Sequence, residues 1–152
     1  MAQRIVIFST KGGVGKTFIA SNLAVSLHRD YERRVLLIDL DVQAVGDMAR
    51  ILDLNPQRAI ADTMYFFKKH LNETPDKDEF ITKSSSGVDF LPAVLRAQQS
   101  PHIEPDKIKD VLKLYDGSYD YTIIDAGKSL SELFVAVLNL SLIHISEPTR
   151  PY

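Results

Sequence analysis

The sequence predicts an α/β protein with a mostly parallel sheet flanked by helices. Three observations carry that prediction. Short apolar runs at Ile5–Phe8, Val35–Ile38, Val88–Leu91 and Tyr121–Ile124 lack the polar alternation of half-exposed strands. Strands covered on both faces need such runs. Segments of helical periodicity separate them, which reads as βαβ units and a parallel sheet. Finally, 152 residues with 45% hydrophobic and 25% charged side chains suffice for one domain with a real core.

Each element has its own justification. After the first strand, Ile19, Leu23, Ala24 and Leu27 mark one face of a helix from Lys16 to about Arg29. The second strand, Val35–Ile38, ends at Asp39 and is followed by helices over Gly46–Leu52 and Ala59–Leu71. Within the latter, Tyr65-Phe-Phe67 is read as its core face and Lys68-Lys-His70 as a solvated end. Asn72–Ser86 is polar, contains Pro75, and reads as a surface loop with a short helix around Asp78–Thr82. Pro92 stops the third strand. Pro105 suits a first helical position, with Ile108, Val111, Leu112 and Tyr115 behind it. The fourth strand runs into Asp125, and Ser131–Leu140 is helical. Tyr115, Tyr119 and Tyr121 read as packing around that strand. Leu142–Ile145 has the character of a strand start, but two prolines follow. Residues 1–141 are therefore taken as the domain and 142–152 as a non-native or disordered tail that looks like translated adapter sequence.

Composition excludes several classes. Eighteen basic against twenty acidic residues give a net charge of −2, so no nucleic-acid signature is present. No cysteine occurs, which excludes disulfides, zinc-thiolate sites and iron–sulfur ligation within the chain. The four histidines show no metal-ligand spacing. The sequence enters a strand without a charged-then-apolar leader, and no run approaches about 18 apolar residues. A cytoplasmic location is expected.

The chemistry is concentrated in Lys11-Gly-Gly-Val-Gly-Lys-Thr17, directly after the first strand. A phosphate-binding loop must aim several backbone N–H groups at one anion. Glycines allow this because they adopt positive φ and carry no Cβ. A helix beginning near Gly15 adds its positive end. Gly12, Gly13, Val14, Gly15, Lys16, Thr17 and Phe18 would cradle the phosphates, Lys16 would reach the β- and γ-phosphates, and Thr17 would ligate Mg²⁺. Thr10 stands where the general G-x-x-x-x-G-K-[ST] pattern has its first glycine, and Lys11 adds a second lysine. Ligands of open parallel sheets bind at the strands' carboxyl ends, where Asp39, Asp41 and Asp125 also lie.

This loop resembles the deviant Walker A loop of the ParA/MinD family of dimeric P-loop ATPases. The resemblance implies a P-loop NTPase-type sheet, incomplete here at its C-terminus, with ATP and Mg²⁺ as cofactors and an ATP-dependent homodimer. It also implies that Lys11 acts in trans on the partner subunit's phosphates. Asp39-Leu-Asp-Val-Gln43 is similar to the family's first switch segment, with Asp41 orienting the attacking water and Asp39 supporting the Mg²⁺ shell. Asp125, after Tyr-Thr-Ile-Ile, matches the Walker B aspartate that holds Mg²⁺ through water. Catalysis would then fall to Lys11, Lys16 and Asp41, and metal binding to Thr17, Asp39 and Asp125.

Two positions depart from the family pattern. Phe18 replaces a common threonine and leaves only its backbone N–H for the α-phosphate. The second switch reads Asp125-Ala-Gly-Lys-Ser129, with Gly127 in the place of a γ-phosphate sensor.

Further segments, Gly46-Asp47, Ala59-Ile-Ala-Asp62, Val88-Asp-Phe-Leu-Pro-Ala93 and Ser129-Leu-Ser-Glu132, resemble the CpaE/TadZ-type branch. That branch localises and assembles type IV (Flp/Tad) pilus machinery, which implies a partner at a pilus or secretion complex. It also implies recruitment to the inner membrane face or pole, with membrane association only indirect. Other readings stand beside it: a partition or division-site ATPase, a small-molecule kinase or ligase of the same fold, and a non-hydrolysing ATP-binding scaffold.

Overall fold

The computed structural model describes residues 2–13, 15–140 and, for the backbone, 143–146. One sheet contains β1 (Gln3–Phe8), β2 (Val35–Asp39), β3 (Thr82–Lys83), β4 (Asp89–Pro92), β5 (Tyr121–Asp125) and β6 (Ile143–Ser146). The order across it is β3-β4-β2-β5-β1-β6, parallel throughout except for β3 against β4. The chain passes from β1 to β2 without pairing them, and β5 later fills the gap between the two. That insertion brings three strand ends together at the site.

Helices α1 (Lys16–Tyr31), α2 (Asp47–Ile51), α3 (Ile60–Lys69), α4 (Ile108–Lys113) and α5 (Glu132–Leu138) cover both faces. Strand alternation sorts the core into two layers, because successive side chains leave opposite faces. Ile5, Ile7, Leu37, Phe90 and Ile123 pack against Ala20 and Ala24 of α1 and Met48 and Ala49 of α2. Val6, Leu36, Ile38, Leu91 and Ile124 pack against Ile60 and Met64 of α3, Val111 and Leu112 of α4, and Phe134 and Val137 of α5. Ser131 caps α5 by accepting a hydrogen bond from the Phe134 N–H at 3.2 Å.

The parallel α/β prediction holds, and so do its four main strands and principal helices. Several details differ. Ile19 is 45% exposed, because the buried stripe of α1 is made of Ala20, Ser21 and Ala24 instead. Tyr65 is 62% exposed, since α3 turns Ile60, Ala61, Thr63 and Met64 inward, and Lys69 lies over its ring at 5.6 Å. Phe66 and Phe67 are half-buried. The expected helix near Asp78 is a 3₁₀ turn, Lys77–Phe80, and the helix after Pro105 starts with a 3₁₀ turn, Pro105–Lys107. Strand β3 and the 3₁₀ segment Ala97–His102 were not expected. The backbone of Ile143–Ser146 lies parallel to β1, and the rest of the segment read as a tail falls outside the described residues. No helix among the described residues is long and apolar enough to cross a membrane.

Candidate phosphate-binding site

Strand register assembles the site. Ile7 pairs with Asp125, and Asp125 with Asp39, so the carboxyl ends of β1, β5 and β2 stand side by side. The glycine-rich loop leaves the first of these ends. Its entry is fixed by Ser9, a buried residue whose hydroxyl accepts from the Lys11 N–H and donates to the Lys11 carbonyl, both at 3.0 Å. Gly13 and Gly15 adopt φ of +72° and +91°, a region that a Cβ would penalise. Gly15 is also the N-cap of α1, its carbonyl accepting from the Ile19 N–H at 2.8 Å. The free N–H groups of the first helical turn therefore open where the loop ends.

Thr17 joins the end of the loop to β5. The Thr17 hydroxyl donates to Asp125 Oδ2 at 2.8 Å, while Asp125 Oδ1 accepts from the Gly127 N–H at 3.0 Å. Asp125 is fully buried. Burial raises its carboxyl above the ordinary range. The Gly127 and Thr17 hydrogen bonds oppose this, Asp41 adds to it, and the Lys16 charge opposes it. Asp39 is buried as well, and burial pushes its carboxyl up to about 8, against the pull of the Asp41 N–H bonded to Oδ1 at 3.0 Å. Asp41 is half-buried and turns the following loop by accepting from the N–H groups of Gln43 and Ala44 at 3.1 and 3.2 Å. Gly127 closes the arrangement. Its φ is +71°, and an added Cβ would sit 3.0 Å from Asp41 Cγ.

The structure thus brings Lys16, Thr17, Asp39, Asp41 and Asp125 to one place. Lys11, Gly12, Gly13 and Gly15 form its exposed rim, and the Phe18 side chain is 65% exposed at the start of α1. Val14 falls outside the described residues. Among the described residues, no three His, Cys, Asp or Glu side chains gather as a metal-holding group. Mg²⁺ takes one or two protein oxygens and completes its shell with phosphate and water. The hydroxyl and carboxylate of Thr17 and Asp125 are such oxygens, already held in contact. Sequence reasoning missed Ser9, whose signal was its place at the strand end, and gave no role to Lys128.

A family profile described as an AAA domain matches residues 2–145. The chain belongs to the ParA/MinD family. It is 34% identical over 140 residues to the chromosome partitioning protein ParA of Myxococcus xanthus, covering 88% of this chain and 47% of that one. It is 26% identical over 154 residues to the antiactivator FleN of Pseudomonas aeruginosa, covering 97% and 52% respectively. The septum site-determining protein MinD of Pyrococcus horikoshii, solved with Mg-ADP, shares the fold at a TM-score of 0.79 and 24% identity, covering 96% of this chain and 57% of that one. The chain spans about half the length of the curated relatives it matches.

Proposed function

We propose that this chain is the nucleotide-binding part of a ParA/MinD-type switch that binds and hydrolyses Mg-ATP. The observation that carries the reading is the convergence of the loop, Thr17 and Asp125 at adjoining strand ends, with the Thr17–Asp125 contact already made. Backbone N–H groups from Gly12 to Phe18 cradle the phosphates, and Lys16 neutralises the β- and γ-phosphate charge. Thr17 and Asp125 hold Mg²⁺, with Asp39 supporting its shell. When bound there, Mg²⁺ would supply charge neutralisation for phosphoryl transfer. Asp41, fixed by the Gln43 and Ala44 N–H groups, orients the attacking water, and Lys11 acts on a second subunit.

Calorimetric titration with Mg-ATP tests this directly. The wild-type chain is expected to bind, and Lys16→Ala to bind at least roughly tenfold more weakly through loss of a charge-assisted contact. A wild-type chain without affinity, or a Lys16→Ala chain of equal affinity, would overturn the assignment.

The cellular role we propose is placement or assembly of type IV (Flp/Tad) pilus or secretion machinery, supported by the segments from Gly46 to Glu132 that resemble the CpaE/TadZ branch. The membrane or pole is then reached through a protein partner. Chromosome partition is the second reading, favoured by the likeness to the Myxococcus protein. A fluorescent copy in a piliated cell separates the two: foci at the pilus base support the first, a nucleoid distribution the second.

A further inference from the structure

Lys128 has no role in the reading above, yet it lies over the phosphate loop. A Cβ built on Gly12 would be 3.7 Å from both Cδ and Nζ of Lys128. The ammonium is exposed, and among the described residues it makes no hydrogen bond or ion pair. Its backbone, in contrast, is held at the preceding residue from three sides. The Gly127 N–H donates to Asp125 Oδ1 at 3.0 Å, the Gly127 carbonyl accepts from the Ser9 N–H at 3.5 Å, and Asp41 stands so close that an added Cβ would meet its Cγ at 3.0 Å. Lys128 also shares a small cavity of about 70 Å³ with Asp41 and Gln43. A cation with no ion pair among the described residues thus lies near both the start of the loop and the carboxylate expected to orient water.

We infer that Lys128 is a phosphate-contacting residue of this site, acting within its own subunit on the terminal phosphate of a bound nucleoside triphosphate. This deepens the nucleotide-site reading and rests on it. The location selects the terminal phosphate. Lys128 lies over Gly12 in the opening part of the loop and lines a cavity with Asp41, whereas Thr17 lies at the loop's other end against Asp125. A third lysine there adds a positive charge to the end of the triphosphate that a diphosphate lacks. It also couples that charge to the second switch: Gly127 and Lys128 are consecutive, so a contact made by the ammonium is transmitted to the Asp125 and Asp41 contacts of Gly127. The charge that Lys11 supplies from a partner would in this chain have a counterpart in cis.

The test is calorimetric titration of the whole chain with Mg²⁺ and either ATPγS or ADP. Wild type, Lys128→Met, Lys128→Arg and, outside the site on α4, Lys113→Met are compared. Loss of a charge-assisted phosphate contact is expected to weaken ATPγS binding by roughly tenfold to a hundredfold in Lys128→Met. ADP binding is expected to change less than about twofold, because the group lost faces the third phosphate. Lys128→Arg should recover most of the affinity, and Lys113→Met should match wild type. The melting temperature of ligand-free Lys128→Met should stay at the wild-type value, which a structural lysine would not allow. Equal losses for both nucleotides, or no loss for either, would overturn the assignment. If the wild-type chain binds neither nucleotide, the site reading itself fails, and the Lys128 proposal falls with it. That result is distinguishable from a Lys128 effect because no variant is needed to see it.

Discussion

Asp39 carries opposed demands in its one carboxylate. It is buried at the end of β2 beside Asp125, with Asp41 and Asp47 near enough to disfavour its charge. In the ligand-free chain its ionised form is destabilising, which a bound cation would reverse. The sign follows from its raised value. The folded state keeps the Asp39 proton from the ordinary 3.8 up to about 8, while the unfolded chain releases it. The stabilising contribution is therefore fully present below about 3.8 and is lost as pH rises to about 8. Over that window the loss is on the order of a few kcal/mol. Asp39→Asn retains an acceptor for the Asp41 N–H and removes the titration. Urea denaturation without nucleotide at pH 5 and pH 8 is expected to show a steeper decline for wild type than for Asp39→Asn. Parallel declines would mean that Asp39 burial costs nothing. The same substitution is expected to weaken Mg-ATP binding, so the residue exchanges stability for function.

Among the elements, α3 separates what the sequence discloses from what only packing decides. Its N-terminus is held by the Asp62 carboxylate, which accepts from the Ala59 N–H at 2.8 Å, and by the Ala61 N–H, which donates to the Ala93 carbonyl at 3.0 Å. Asp62→Ala is expected to cost about 1 kcal/mol in urea denaturation. Tyr65→Ala, on the exposed side, is expected to stay within about 0.5 kcal/mol. Were Tyr65 the core residue that its apolar neighbours suggested, the order of the two would reverse. The helix itself was legible from periodicity. Which of its adjacent aromatics faced inward was not, because Tyr65-Phe-Phe67 offers apolar side chains through more than half a turn. The same reason hid the exposure of Ile19, where alanines fill the contact stripe. Strand β3 has only two residues, Thr82 and Lys83, too few for a period of two to register. It is held by its pairing with β4 and by Lys83 Nζ to Asp89 Oδ2 at 2.6 Å. At the site, the legible residues were those whose spacing repeats a chemical requirement: Lys16 and Thr17 in the loop, and the carboxylates at strand ends. Ser9 holds the loop through a local contact with Lys11, and its only signal was its place at the strand end. Lys128 meets Gly12 across segments so far apart that linear spacing carries no information.

For the whole molecule, the decisive question is whether the site is complete within one chain. Lys16, Thr17, Asp41 and Asp125 all come from a single copy, drawn together by the insertion of β5 between β1 and β2. Lys11 is different. Its backbone is fastened to Ser9, but its side chain is exposed on the rim of the loop and forms no ion pair among the described residues. Exposed apolar side chains accompany it at this end of the sheet, Phe18 at 65% and Leu130 at 70%. A second copy facing the loop would bury these side chains and bring Lys11 to the opposite nucleotide, so the triphosphate would join two subunits. Light scattering with Mg-ATP is expected to show a dimer for the wild-type chain. Lys11→Ala should remain monomeric while still binding nucleotide, because the loop's own cradle is intact. Asp41→Ala should dimerise and persist, because the water that ends the ATP state is no longer oriented. A chain that binds ATP and stays monomeric in all three forms would sink the switch and leave a single-subunit kinase or scaffold on the same fold. Dimerisation of Lys11→Ala at the wild-type nucleotide concentration would keep the switch but remove Lys11 from its interface, leaving Lys128 as the rim lysine placed to contact the terminal phosphate.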